Sequence, residues 1–188
     1  MKRAFIVHGW GGHPEEAWMP WLKTELEKLG VQVYALSMPD TDHPRIETWV
    51  PYLAENVGTP DSETYLVGHS IGCQTIIRYL ETINTPIGGA LFVAGWFTLM
   101  NSTPDEIPIR EPWITTPINF AKVKINSPKM SAILSDDDDV VPLEENRKLF
   151  QENLGVQAFV EHGKGHFSGG DNITELPLAL EELKKMMV

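Results

Sequence analysis

Short apolar runs bounded by turn-forming residues recur at Ala4 to His8, Gln32 to Leu36, Thr64 to Gly68, Ala90 to Ala94, Met130 to Leu134 and Val156 to Val160. Runs of this length predict six buried strands. Between them the period changes. Trp18, Trp21, Leu22, Leu26 and Leu29 fall on one face of a helix, and Gly30 stops it and delivers the chain to the next strand. Ile71, Ile76, Ile77 and Leu80 give a second helical pattern directly after the third run. At the end Ile173, Leu176, Leu180, Leu183 and Met187 recur at three- and four-residue steps, with Asp171 or Asn172 available as N-cap. Strands alternating with helices predict an α/β fold, a mostly parallel sheet with helices on both faces.

Two segments fit the alternation less cleanly. Trp49, Tyr52 and Leu53 suggest a helix within Ile46 to Val57, but Pro51 falls inside it, which predicts a kink or a helix that starts near the proline. Gly95 to Asn126 is rich in Pro, Thr and aromatics without a sustained period, and is longer than an ordinary connection in an α/β domain. It has two readings. Either it is a structural excursion that packs Trp96, Phe97 and Trp113 onto the core, or Trp96 and Trp113 line a substrate pocket.

Length and charge narrow the functional classes. No Ser/Gly-rich or Pro-rich linker divides the 188 residues, so one domain spanning 1–188 is expected. A formal charge of -11 repels polyphosphates and offers no basic stripe for nucleic acid or an anionic membrane. The apolar stretch at the start stops at His8, too short for a signal peptide, and no run approaches a membrane span. Cys73 is the single cysteine. That rules out an internal disulfide framework and fits a reducing compartment, so a cytoplasmic location is expected.

Chemistry enters at Gly68-His69-Ser70-Ile71-Gly72, a Gly-x-Ser-x-Gly pentapeptide between an apolar run and a helical pattern. This is the arrangement of the nucleophile elbow of α/β-hydrolases, in which a sharp strand-to-helix turn lifts a serine hydroxyl and needs small neighbours on both sides. The helix that follows turns its free N–H groups toward the reacting centre, so Ile71 N–H becomes a candidate oxyanion donor. In such folds the acid and the histidine follow the serine in the chain, on loops after later strands. Four of the six histidines precede or adjoin Ser70, which leaves His162 and His166. His166 stands in Gly163-Lys164-Gly165-His166-Phe167, where glycines let the backbone turn, and is the candidate base; His162 reads as an exposed strand-end residue. The acid should lie in Asp136-Asp137-Asp138-Asp139, and spacing alone does not choose among the four. Like charges in such a run repel, so one or two are expected to be committed to partners.

Val7-His8-Gly9-Trp10, the elbow, Asp137-Asp138-Asp139-Val140-Val141-Pro142 and Gly163-Lys164-Gly165-His166-Phe167 together resemble the small serine hydrolase family of retinoblastoma-binding protein 9 and its bacterial relatives, as does Trp18-Met19-Pro20-Trp21-Leu22-Lys23. The resemblance spans nearly the whole chain. It implies a compact α/β-hydrolase fold of about six strands without a large lid. In the family's Asp-Asp-x-x-Val/Leu-Pro pattern the second Asp is catalytic and lies four residues before the proline, which here is Asp138. The longer acidic run keeps Asp137 as the alternative. The resemblance also implies Trp10 N–H as the second oxyanion donor, in a loop made permissive by Gly9, Gly11 and Gly12.

Two functions from different classes follow. The first is an esterase-like acyl hydrolase acting on a small ester, amide or thioester, with Ser70 as nucleophile, His166 as proton shuttle and Asp138 orienting it, and with no cofactor or metal. Neither a His-Glu-x-x-His pattern nor a calcium loop is present, and no glycine-rich phosphate motif follows the first run. Cys73 reads as a buried helix residue. The second is an interaction protein on a hydrolase fold with little catalysis. A Leu-x-Cys-x-Glu motif for retinoblastoma protein is absent, so that partner is not implied.

Overall fold

A computed structural model describes all 188 residues. In chain order the elements are β1 (Arg3–Val7), α1 (Met19–Lys28), β2 (Gln32–Leu36), α2 (Ile46–Val57), β3 (Thr64–His69), α3 (Ile71–Thr82), β4 (Gly89–Val93), α4 (Ile107–Thr115), α5 (Phe120–Asn126), β5 (Met130–Ser135), α6 (Leu143–Leu154), β6 (Ala158–Glu161) and α7 (Pro177–Met186). The six strands form one sheet in the order β2-β1-β3-β4-β5-β6, and every pairing is parallel.

Alternation along the strands sorts the core into two layers. Phe5, Val7, Leu66, Ala90, Phe92, Ala132 and Leu134 face one cluster, which also takes Trp49, Ile76, Leu80 and Phe150 from α2, α3 and α6. Ala4, Ile6, Tyr65, Val67, Leu91, Val93 and Ile133 face the other, with Met19, Leu22, Leu26, Ala179 and Leu183 from α1 and α7. Each of the larger side chains contributes about 1.5–3 kcal/mol by leaving water. From Ile71 to Leu80 every residue of α3 is buried, because α2 and α5 cover the sides the sheet leaves open.

The chain leaves β1 outward to β2 and returns past it to β3, so the strand order reverses between β1 and β3. Loops at the carboxyl ends of these two strands diverge and leave a crevice, the customary ligand position in open parallel sheets. Both the Gly9-Trp10 loop and Ser70 leave the sheet at this point.

The elements differ from expectation in a few places, each with a local cause. Helix α2 begins at Ile46, five residues before Pro51, and runs through it. Pro51 and Glu47 are both exposed, so the Glu47 carbonyl that lacks its helical donor can turn to water. Strand β6 begins at Ala158, because Val156 N–H closes the end of α6 on Phe150 O and Gly155 takes a left-handed turn there. Helix α7 begins at Pro177, with Leu176 as N-cap in place of Asp171 or Asn172. The Asp171 carboxylate is engaged elsewhere, as described below. Gly95 to Asn126 contains two helices; in α4 only Trp113 is buried, so no helical period could be read there.

Candidate active site

Ser70 leaves β3 with φ 53° and ψ -120°, a left-handed backbone that an L residue adopts only under constraint. Its N–H donates to Val93 O of the neighbouring strand, and its carbonyl accepts from Cys73 N, both at 2.9 Å. The flanking glycines are sterically required. A Cβ on Gly72 would press into the Val7 carbonyl oxygen, and one on Gly68 would lie 2.7 Å from Cys73 N. Thus α3 meets β1 closely enough to hold Ser70, 8% exposed, at the bottom of a cleft.

His166 reaches the same cleft from the loop after β6. Its Nδ1 lies 2.8 Å from Asp138 Oδ2. The Asp138 side chain is almost fully buried, and its Oδ1 accepts from Val140 N and Val141 N, each at 2.9 Å. One carboxylate oxygen therefore shapes its own turn while the other holds the imidazole. Asp137 points elsewhere: its Oδ1 accepts from Ser135 Oγ at 2.7 Å and from Gly165 N at 2.8 Å. Asp136 accepts from Gly163 N at 3.0 Å and pairs with His162 Nδ1 at 2.5 Å. Three aspartates, more than charge repulsion suggested, are thus committed, because each meets a different N–H or O–H donor. Together they fasten residues 162–166. His162 is exposed as expected, and its pairing with Asp136 raises its pKa while lowering that of Asp136.

Several supports escaped the sequence reading. Asp171 Oδ2 accepts from His166 N at 3.1 Å and from Ser168 N and Oγ at 2.9 and 2.7 Å. Phe167, fully buried with φ 55°, anchors that loop in the α1/α7 layer. His69 adjoins Ser70 and so falls outside the expected chain order of a triad, yet its Nε2–H donates to His166 O at 2.8 Å. Burial drives the His69 pKa down to about 3, so the ring is a neutral donor under the backbone of the His166 loop. Buried Asn146 accepts from Phe97 N and Thr98 N and donates to Thr98 O and Pro142 O, fixing the turn that carries Trp96. The signal for these was faint: single polar residues with no spacing to mark them.

On the far wall, Gly11 N–H donates to Thr41 O and Gly12 N–H to Gly9 O, while the Trp10 N–H is taken by no main-chain or side-chain acceptor. Ile71 N–H opens the first turn of α3, where helical donors have no partner within the helix. Trp10, Ser70, Ile71, Trp96 and His166 all line the cleft, which has a volume of about 630 Å³. Trp113 does not. Its ring is buried against Trp49, and the residue borders a separate cavity with Pro44 and Pro108. The expectation that Trp113 lines the substrate pocket is therefore corrected: its indole N–H is drawn inward to Pro44 O at 3.0 Å.

Ser70 Oγ makes no hydrogen bond to a protein group, a looseness common in free active sites. No group of three or more His, Cys, Asp and Glu side chains is arranged to hold a metal. Cys73 is buried on α3, and desolvation pushes its thiol well above the ordinary range.

A family model described as serine hydrolase matches residues 4–185. The chain belongs to the serine hydrolase family. YdeN of Bacillus subtilis, named as a hydrolase, is 32% identical over 184 residues, which cover 97% of this chain and 94% of YdeN. The serine hydrolase RBBP9 of Rattus norvegicus is 28% identical over 188 residues, covering 98% of this chain and 95% of its own. The crystal structure of YdeN superposes with a TM-score of 0.89, covering 99% of this chain and 98% of that one at 30% identity. Est1E of Butyrivibrio proteoclasticus, at 15% identity and a TM-score of 0.71 over all of this chain and 90% of its own, shares the fold. This protein is therefore a serine hydrolase on an α/β-hydrolase sheet, as the motifs implied. No helix is long and apolar enough to cross a membrane.

Proposed function

We propose that this serine hydrolase cleaves small carboxylic esters through an acyl-enzyme, with Ser70 as nucleophile, His166 as general base and then acid, and Asp138 as its orienting partner. The observation that carries the reading is the Asp138 Oδ2 to His166 Nδ1 hydrogen bond in a cleft shared with Ser70. With Nδ1–H donated to the carboxylate, Nε2 is the basic nitrogen and takes the Ser70 proton as Oγ attacks the carbonyl carbon. The carbonyl oxygen becomes an oxyanion, and the N–H groups of Trp10 and Ile71 stabilise it. Collapse of the tetrahedral intermediate expels the alkoxide, which His166 protonates; water then attacks the acyl-enzyme by the same route and regenerates Ser70. Amides and thioesters present the same carbonyl and are slower or alternative substrates.

The cleft wall favours certain esters. Glu16 and Glu106 line it, and no Lys or Arg does. A substrate carrying its own carboxylate or phosphate would bring a further negative charge beside a developing oxyanion, so neutral or cationic esters fit best. The overall charge of -11 gives the same preference and disfavours nucleic acid as a partner. With one cysteine, buried and unpaired, the chemistry suits a cytoplasmic setting in which the chain acts as a single catalytic domain.

The test is steady-state hydrolysis of matched p-nitrophenyl esters, neutral, cationic and anionic, with intact-mass detection of an acyl adduct. A neutral ester should be turned over with an adduct that is lost in Ser70→Ala, and the anionic ester should have a kcat/KM at least about tenfold lower. Equal rates with Ser70→Ala, or no adduct at any ester, would sink the proposal.

A further inference from the structure

Three of the six tryptophans send their indole N–H groups to one short loop. Trp10 Nε1 donates to Asp42 O at 2.9 Å, Trp49 Nε1 to Pro39 O at 2.8 Å and Trp113 Nε1 to Pro44 O at 3.0 Å. The loop, residues 38–44 between β2 and α2, touches the candidate oxyanion loop at two further points. Gly11 N–H donates to Thr41 O at 2.8 Å, and Met38 N–H donates to His8 Nε2 at 3.1 Å. His8 in turn lies 2.8 Å through Nδ1 from Gly9 O, which fixes its neutral tautomer: Nδ1–H donates and Nε2 accepts. Burial lowers the His8 pKa and keeps it in that state.

We infer that loop 38–44 is the buttress that aims the Trp10 N–H, and that Trp113 and Trp49 are positioning residues acting through it. This rests on the oxyanion role proposed above for Trp10. The buttress is bonded on one side to residues 8–11 and clamped on the other by Trp49 of α2 and Trp113 of α4. Inside it Asp40 adopts φ 46° and its carbonyl accepts from His43 N, a tight conformation that persists only where surrounding bonds over-determine it. Trp113 is itself held firmly. Its ring packs edge-on against Trp49 at 6.4 Å, and buried Arg78 of the elbow helix α3 donates to Trp113 O at 2.7 Å and to Thr116 O at 3.1 Å. The same helix whose first N–H supplies one oxyanion donor therefore fixes, through Arg78, Trp113 and Pro44, the loop that carries the other.

Only the bonds at Trp10 are near solvent; those of Trp49 and Trp113 are progressively more buried. A buried carbonyl deprived of its donor is costly, so the buttress would shift to find another, and a shift of about 1 Å in a catalytic group lowers rates by up to about a hundredfold. The experiment is Trp113→Phe, which keeps an aromatic ring but removes the N–H together with the pyrrole half of the indole. Active-site titration with a fluorophosphonate sets the concentration of competent enzyme, and Trp21→Phe on the other face of the sheet is the control. The expected result is a kcat about tenfold lower at a KM within about twofold of wild type, with an equal loss of affinity for a trifluoromethyl ketone, whose hemiketal oxyanion, formed when Ser70 Oγ adds to the ketone, needs the aimed donor, and unchanged inhibition by the carboxylic acid product. Wild-type kcat and ketone affinity in Trp113→Phe, or a kcat loss wholly explained by the titre, would overturn the inference. Should Trp113→Phe not fold, Trp49→Phe is read in the same way. A wild type that hydrolyses no ester and takes no fluorophosphonate would overturn the proposed mechanism itself, whereas an active wild type with indifferent variants overturns the buttress alone.

Discussion

At Gly72 a single methyl group separates a working elbow from a displaced one. Because its Cβ would enter the Val7 carbonyl, Gly72→Ala must push α3 off β1, and Ser70 is the N-cap of α3. The expected outcome is a loss of about 1–3 kcal/mol in urea denaturation together with an activity loss much larger than that destabilisation explains. The aspartate run gives a sharper contrast. Asp138→Asn should lower kcat by about 10⁴-fold, since the amide leaves His166 in the wrong tautomer, whereas Asp137→Asn should cost less than about tenfold because it touches only Ser135 and Gly165. Steady-state kinetics on one ester decide it. Ser70 and His166 were legible because glycines mark the turns around them. Asp138 was not separable from Asp137 by spacing, since both meet donors in the same loop, at Gly165 and His166; the family pattern favoured Asp138, which is the aspartate hydrogen-bonded to His166 Nδ1.

Among the elements, the loop between β6 and α7 shows how the site is held. Asp171 gathers His166 N and both donors of Ser168 on one oxygen, and Gly165 has no room for a Cβ beside it. Asp171→Ala should lower kcat about tenfold while changing the melting temperature by only a few degrees, because the lost bonds lie near the surface; kinetics and thermal melts on the same preparation check this. This function is why Asp171 does not cap α7, although its residue type made it a candidate. The other misread elements share a cause: what decides them lies outside their own sequence window. Helix α4 is fixed by one buried tryptophan, Pro51 is tolerated because its face meets water, and β6 loses Val156 to the helix before it.

For the whole molecule the strong signals were the repeating ones. Six apolar runs and intervening helical periods sufficed for a parallel sheet with two core layers, and the sheet's reversal between β1 and β3 sets the cleft above the elbow. Folding also imposes an acid limit. His69 falls from an ordinary 6.5 to about 3 through desolvation and the neighbouring His166, and His8 is lowered by burial. A depressed folded pKa means that the unfolded chain binds the proton first, so this stability is whole above about 6.5 and is lost as pH falls through the folded values. His69 alone should give a slope of about 1.4 kcal/mol per pH unit within that window. Exposed His162 has the opposite sign, its contribution being lost as pH rises through its raised value, and solvent screening keeps it small. Urea midpoints should therefore fall steadily from pH 6.5 to pH 4, and a flat profile would contradict burial of neutral His69.

The proposed triad itself is tested most directly by fluorophosphonate labelling of wild type, Ser70→Ala, His166→Ala, Asp138→Asn and Asp137→Asn, each shown to be folded by circular dichroism. Rapid labelling of wild type and Asp137→Asn, none of Ser70→Ala and labelling slowed by orders of magnitude in His166→Ala and Asp138→Asn is the pattern expected. Labelling that survives Ser70→Ala, or that depends on Asp137 and not on Asp138, would contradict it.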